Sequence, residues 1–399
     1  LTTLTQIGTL FNDVFVYDAE TRVLTVNGLP IVVTSLFDFI YVDGGLGNDT
    51  LRIYGTAANE SAVLDPESIS FEYDPVHSSF DFRGVNFETI VIDGRGGTDT
   101  VVLNDSGGGD TWVGGTTEAA VGGRWFSNLA LRLDVVSGRA INGGANDRAF
   151  LFDSAGSDIF SHGPSGANLS GSGFFHQAFG FGFVSATATP GTAIDRAFLQ
   201  DSTADDVLDL RPGVGKMSRN GIVYSQAVNF DEITGQALHG GRDAAILPGS
   251  AAADTLTSRV ASTRLMGGGF TSVAEGFEVL SARAISGGVD TAFFEDSAGD
   301  DVFTADITQA IMTASDGLSR TAVGFEVVSA AALHGGTDQA HLFGTTANDT
   351  FTFDGTSRLA NLASDISGAS ALYLQTRHFE MTNVRDVTGG GFDRAFLTG

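Results

Sequence analysis

Apolar residues in this chain recur with a period of two, in short bursts separated by glycine-rich turns. After Asp147, Ala149 and Leu151 alternate with Arg148, Phe150 and Phe152. Such alternation predicts a strand with one buried face. The burst occurs eight times, each opened by an aspartate after a glycine turn: Asp49, Asp99, Asp147, Asp195, Asp243, Asp290, Asp338 and Asp393. Two places on stands Leu51, Val101, Ala149, Ala197, Ala245, Ala292, Ala340 or Ala395, and four places on Ile53, Leu103, Leu151, Leu199, Leu247, Phe294, Leu342 or Leu397. Both positions are expected to point inward.

The steps between these aspartates are 50, 48, 48, 48, 47, 48 and 55 residues, so the chain is a repeat array. A fixed period of this size marks a stack whose units bury their apolar faces against one another. In seven repeats a second acid follows the first by 11 residues: Glu60, Asp110, Asp158, Asp206, Asp254, Asp301 and Asp349. Between the two acids lies a tight turn in one of two spellings, Asp-Ser (Asp105, Asp153, Asp201, Asp296) or Gly-Thr/Ser (Gly8, Gly55, Gly249, Gly344). One acts through side-chain bonds to the backbone and the other through free φ. After a variable middle, each unit closes with a strand anchored by Phe37, Phe87, Leu133, Phe181, Phe230, Phe277, Phe325 or Phe379. No segment carries a convincing 3.6-residue period.

The fold class read from this pattern is all-β, a parallel β-solenoid or β-helix of about eight ~48-residue repeats. It is expected to be a single solenoid over residues 1–399, with a half-repeat at 1–43, repeats starting near 44, 94, 142, 190, 238, 286 and 334, and a half-repeat at 388–399. One large coil per repeat and two coils of about half that length both fit. Parallel stacking would place equivalent aspartates in ladders, where two carboxylates 5 Å apart repel by about 3 kcal/mol at an effective dielectric of 20. Cations, glycine-turn N–H groups, adjacent arginines (Arg148, Arg196, Arg394) or protons must then relieve them.

Composition sharpens the picture. The 48 acidic and 21 basic residues give a net charge of −27, which repels nucleic acid and anionic membranes and attracts cations. With 42% hydrophobic residues and 31 phenylalanines there is ample material for a core. The chain has no cysteine, and no apolar stretch reaches membrane-span length. It begins at Leu1, which suggests a removed signal peptide or an excerpt of something longer.

Asp43-Gly44-Gly45-Leu46-Gly47-Asn48-Asp49-Thr50-Leu51 resembles one copy of the glycine- and aspartate-rich nonapeptide of RTX (hemolysin-type) calcium-binding proteins, and Gly94 to Val101 is a near match. The resemblance implies a parallel β-roll with calcium between stacked turns, on a secreted protein. Here one copy occurs per ~48 residues instead of in tandem, and later copies shorten, as in Gly287-Gly288-Val289-Asp290. The whole unit also resembles long glycine- and aspartate-rich repeats of bacterial surface proteins.

Two readings of the repeat aspartates are kept: capping of their own turns, and coordination of calcium by Asp49, Asp99, Asp147, Asp195, Asp243, Asp290, Asp338 and Asp393. Oxygen-only ligands suit a hard cation. No catalytic motif is present, and the expectation is that the protein is not an enzyme. A catalytic site should break the repeat, which points to about Gly163 to Phe183 as the place for a polysaccharide-processing alternative. The slot shared by His239 and His334 reads as turn packing. An outward apolar stripe (Val102, Phe150, Phe198, Ile246, Phe293, Phe396) must be covered by the variable middle or by another copy.

The chain ends in the first half of a repeat and begins in the second half. Gly8, Thr9, Asp13 and Phe15 at one end would complete Asp393, Phe396, Leu397 and Gly399 of another copy. A heterologous contact of that kind generates a filament. The functional expectation is therefore a secreted, extracellular or cell-surface structural protein that self-assembles head to tail or serves as a matrix or adhesin-like subunit. Its expected partners are copies of itself and a surface polysaccharide, with no nucleic acid and no membrane span. A calcium-dependent binding module is the further alternative.

Overall fold

A computed structural model describes residues 2–73, 80–143, 146–285, 287–364, 372–386 and 391–399, leaving aside the side chains of 80 and 81. The chain is an all-β parallel solenoid without a helix among these residues. It divides into two compact units, Leu1–Asp195 and Arg196–Gly399, each a two-sheet solenoid. The glycine turn at 144–145 and His77 lie outside the described residues.

Each repeat supplies five strands. In the repeat opened by Asp49 these are Thr50–Tyr54, Glu60–Asp65, Ser68–Tyr73, Phe80–Val85 and Thr89–Asp93. The middle three form an antiparallel meander in one sheet, and the outer two pair in parallel in the other. The next repeat reverses this assignment. Thr111–Gly115, Glu118–Gly122 and Ser127–Leu131 place their meander in the second sheet, and Thr100–Asn104 and Val135–Arg139 pair in the first.

The second unit follows the same rule. The meander of Asp206–Arg211, Val214–Arg219 and Ile222–Val228 lies in one sheet. That of Asp254–Ser258, Ser262–Gly267 and Phe270–Glu275 lies in the other.

This alternation corrects two expectations. Successive copies of one residue lie on opposite sheets, so equivalent aspartates do not stack. Parallel partners such as Thr50 and Thr89, or Thr89 and Ser127, are instead 39 and 38 residues apart, so the structural turn is neither the full repeat nor half of it. The variable middle does not fold over the coil either, because it becomes the meander and joins the sheet.

Sequence patterning sets the core. The inward positions after the repeat aspartates are buried from Leu51 to Leu342, and only the last coil, with Ala395 and Leu397, is exposed. The closing anchors are buried apart from a half-buried Phe37. Trp112, wholly buried, fills the interior where Gly138 leaves room: a Cβ there would sit 2.6 Å from the indole. On the outer face Phe150 packs edge-on against Phe183 of the neighbouring strand at 6.0 Å, and Ile246 and Phe293 remain 43% and 44% exposed.

Candidate cation site in the carboxylate columns

Every repeat aspartate caps a backbone N–H, in the neighbouring coil and not in its own turn. The N–H of Asp13 donates to Asp49 Oδ1 at 2.7 Å, that of Glu60 to Asp99 at 2.8 Å, Asp110 to Asp147 at 2.8 Å and Asp158 to Asp195 at 2.9 Å. In the second unit Asp206 donates to Asp243 at 2.8 Å, Asp254 to Asp290 at 2.7 Å, Asp301 to Asp338 at 2.9 Å and Asp349 to Asp393 at 2.8 Å. The partners are the second acid of one repeat and the first acid of the next. A column of unlike acids replaces the expected ladder of like ones.

The column extends in both directions. The first acid's own N–H donates to a carboxylate one coil further on, as Asp49 does to Glu88 at 2.6 Å, Asp99 to Asp134 at 2.9 Å and Asp290 to Glu326 at 2.8 Å. The second acid's carboxylate accepts from its own turn, where Ser106 N–H and Oγ reach Asp110 at 3.0 and 2.8 Å. Own-turn capping therefore holds for the second acid and fails for the first.

The first and second acids are almost fully buried, except Asp393 in the exposed last coil. Burial lifts Asp49, Asp99, Asp147, Asp290 and Asp338 above the ordinary carboxylate range, and lifts Asp243 to about 6. Arg196, beside Asp195, pairs with Glu232 at 2.7 Å.

At three places a third aspartate, the one that opens the Asp-Ser turn, joins a column. Asp105, Asp110 and Asp147 bring one oxygen each within 4.8 Å of one another, as do Asp153, Asp158 and Asp195, and Asp296, Asp301 and Asp338. A fourth group, Asp349, Asp386 and Asp393, is largely exposed. At 4.8 Å each ionised pair repels by about 3.5 kcal/mol at an effective dielectric of 20. The oxygen-only donor set fits a hard cation such as calcium.

The residues in the two nonapeptide-like copies behave differently. Gly45, Gly47 and Gly97 adopt positive φ, and a Cβ on Gly47 would meet the Phe11 carbonyl at 2.9 Å. Among the described residues neither Asp49 nor Asp99 belongs to a three-carboxylate group. The three buried triads lie where the turn is spelled Asp-Ser, a signal visible in the sequence. The stretch from Gly163 to Phe183 is regular meander, and His176 is buried with Nε2 2.9 Å from the Gly115 carbonyl oxygen. Of the assembly residues, Gly8 and Asp13 pack together, a Cβ on Gly8 falling 2.8 Å from Asp13, and Phe15 is buried, while Phe396 and Leu397 are exposed.

Scans against protein-family models and against curated proteins find no match to the chain.

Proposed function

We propose that this chain is an extracellular structural protein, a self-associating surface or matrix subunit whose carboxylate columns are neutralised by a hard cation such as calcium. One observation carries this reading: all eight repeat aspartates brace a backbone N–H of an adjacent coil. Acids spent as braces between coils suit a scaffold, and the residual repulsion among them suits a bound cation.

The strand Arg394–Thr398 supports self-association. It pairs on one side with Asp349–Asp354 and shows 56% of Phe396 and 71% of Leu397 to solvent. Among the described residues its other edge pairs with no strand, and an apolar edge of that kind accepts a further one.

Sedimentation velocity and negative-stain microscopy test assembly. The expected result is rods that lengthen with protein concentration and shorten in Phe396→Asp; single particles at every concentration and ionic strength would count against it. Melting in EDTA against millimolar calcium tests the cation, and an unchanged midpoint would leave the aspartates as braces alone.

A further inference from the structure

The four Asp-Ser turns are not alike. Each turn aspartate accepts N–H groups from the coil that follows: Asp105 from Ile141 and Asn142, both at 2.9 Å, Asp153 from Thr189 at 2.6 Å, Asp201 from Leu238 at 2.8 Å and Asp296 from Leu333 at 2.8 Å. At two of them a histidine completes the set. His239 Nδ1 lies 2.7 Å from Asp201 Oδ1 and its N–H 2.9 Å from Oδ2, and His334 repeats both contacts on Asp296 at 2.8 and 2.9 Å. Both oxygens of both carboxylates are thereby donated to.

At the other two turns the histidine's place, three residues after the closing strand, is taken by Asn142 and by Pro190, which has no N–H to donate. Asn142 Nδ2 turns away to the Asp105 backbone oxygen at 2.7 Å. Oδ2 of Asp105 and Oδ2 of Asp153 are left without any hydrogen-bond donor, on residues only 0% and 7% exposed. A buried carboxylate oxygen without a donor has lost its hydration with nothing in exchange, and in each case two further buried carboxylates stand beside it.

We propose that Asp105, Asp110 and Asp147 hold one divalent hard cation and Asp153, Asp158 and Asp195 a second. The histidine-paired turns at Asp201 and Asp296 hold none. Turn spelling alone does not make a site; the site requires an Asp-Ser turn whose following coil offers no imidazole. This deepens the cation reading above and rests on it. Both sites fall in the unit Leu1–Asp195.

The test is calcium stoichiometry of the full chain, stripped with EDTA, by equilibrium dialysis, together with terbium luminescence excited through Trp112. Asp105→Asn and Asp153→Asn are each expected to remove one ion, whereas Asp201→Asn and Asp296→Asn remove none. Asn142→His, which supplies the missing donor without deleting a carboxylate, is expected to abolish the Asp105 site with the far-UV circular dichroism unchanged. Calcium binding whose stoichiometry survives Asp105→Asn, Asp153→Asn and Asn142→His would overturn this assignment and leave the broader cation reading standing. No calcium or terbium bound at all would overturn both.

Discussion

The N–H of Asp206 donates to Oδ1 of Asp243, 37 residues away, at 2.8 Å, with both residues buried. Removing the acceptor strands that donor. Asp243→Ala should cost about 1–3 kcal/mol, the usual penalty for a buried group deprived of its partner, and Asp243→Asn, which keeps a carbonyl oxygen in place, should cost less. Urea unfolding of both variants checks the order; equal losses would mean that charge and not capping matters.

The same carboxylate sets a pH dependence. Burial raises Asp243 to about 6 in the folded chain, above its ordinary 3.8. Between those values the folded chain holds a proton that the unfolded chain releases, so this group's contribution to stability falls as pH rises from about 4 to about 6. Asp99, also raised by burial, acts in the same sense. Asp13, held low chiefly by the Asn27 amide, acts oppositely and only in more acid solution. In EDTA the melting temperature is expected to fall across pH 4–6, and Asp243→Asn should flatten that fall.

Trp112 and Gly138 share one space in the core. Gly138→Ala would bring a methyl 2.6 Å from the indole, and overpacking of this kind costs about 1–3 kcal/mol. Trp112→Phe in the same chain should recover part of that loss, and a double-mutant cycle by chemical denaturation measures the coupling. Additive losses would place the two residues apart.

Arg320 is buried in the core with Nη1 2.8 Å from the Glu295 carbonyl oxygen, while its Nε and Nη2 have no hydrogen-bond partner. The corresponding position in the Leu359–Ser364 meander's closing strand is Leu374, also buried. Replacing a buried charge by a well-packed apolar side chain is often neutral or stabilising. Arg320→Leu should therefore change stability by less than about 1 kcal/mol, whereas Arg320→Ala, which leaves a cavity, should cost about 2–5 kcal/mol. Denaturation midpoints of the two variants distinguish these outcomes.

Strand content, the inward positions and the period were all legible because they depend on local alternation and on spacing. The sheet to which each strand belongs was not. Whether Thr111–Gly115 turns back on Glu118–Gly122 or continues around the coil depends on a short turn and on which neighbour offers a free edge, and neither leaves a mark in the hydrophobic pattern. The columns obey the same logic: the sequence copy of Asp147 is Asp99, but its structural neighbour is Asp110. The kinship of His239 and His334 was visible, but their carboxylate partners stand 38 residues earlier, a separation that no local motif announces.

Because consecutive repeats send their meanders to opposite sheets, gaining or losing a single repeat exchanges the two faces for every module beyond it. Gaining or losing two returns each face to its place. An outer surface that carries a recognition role can thus be lengthened without scrambling only by duplications in pairs.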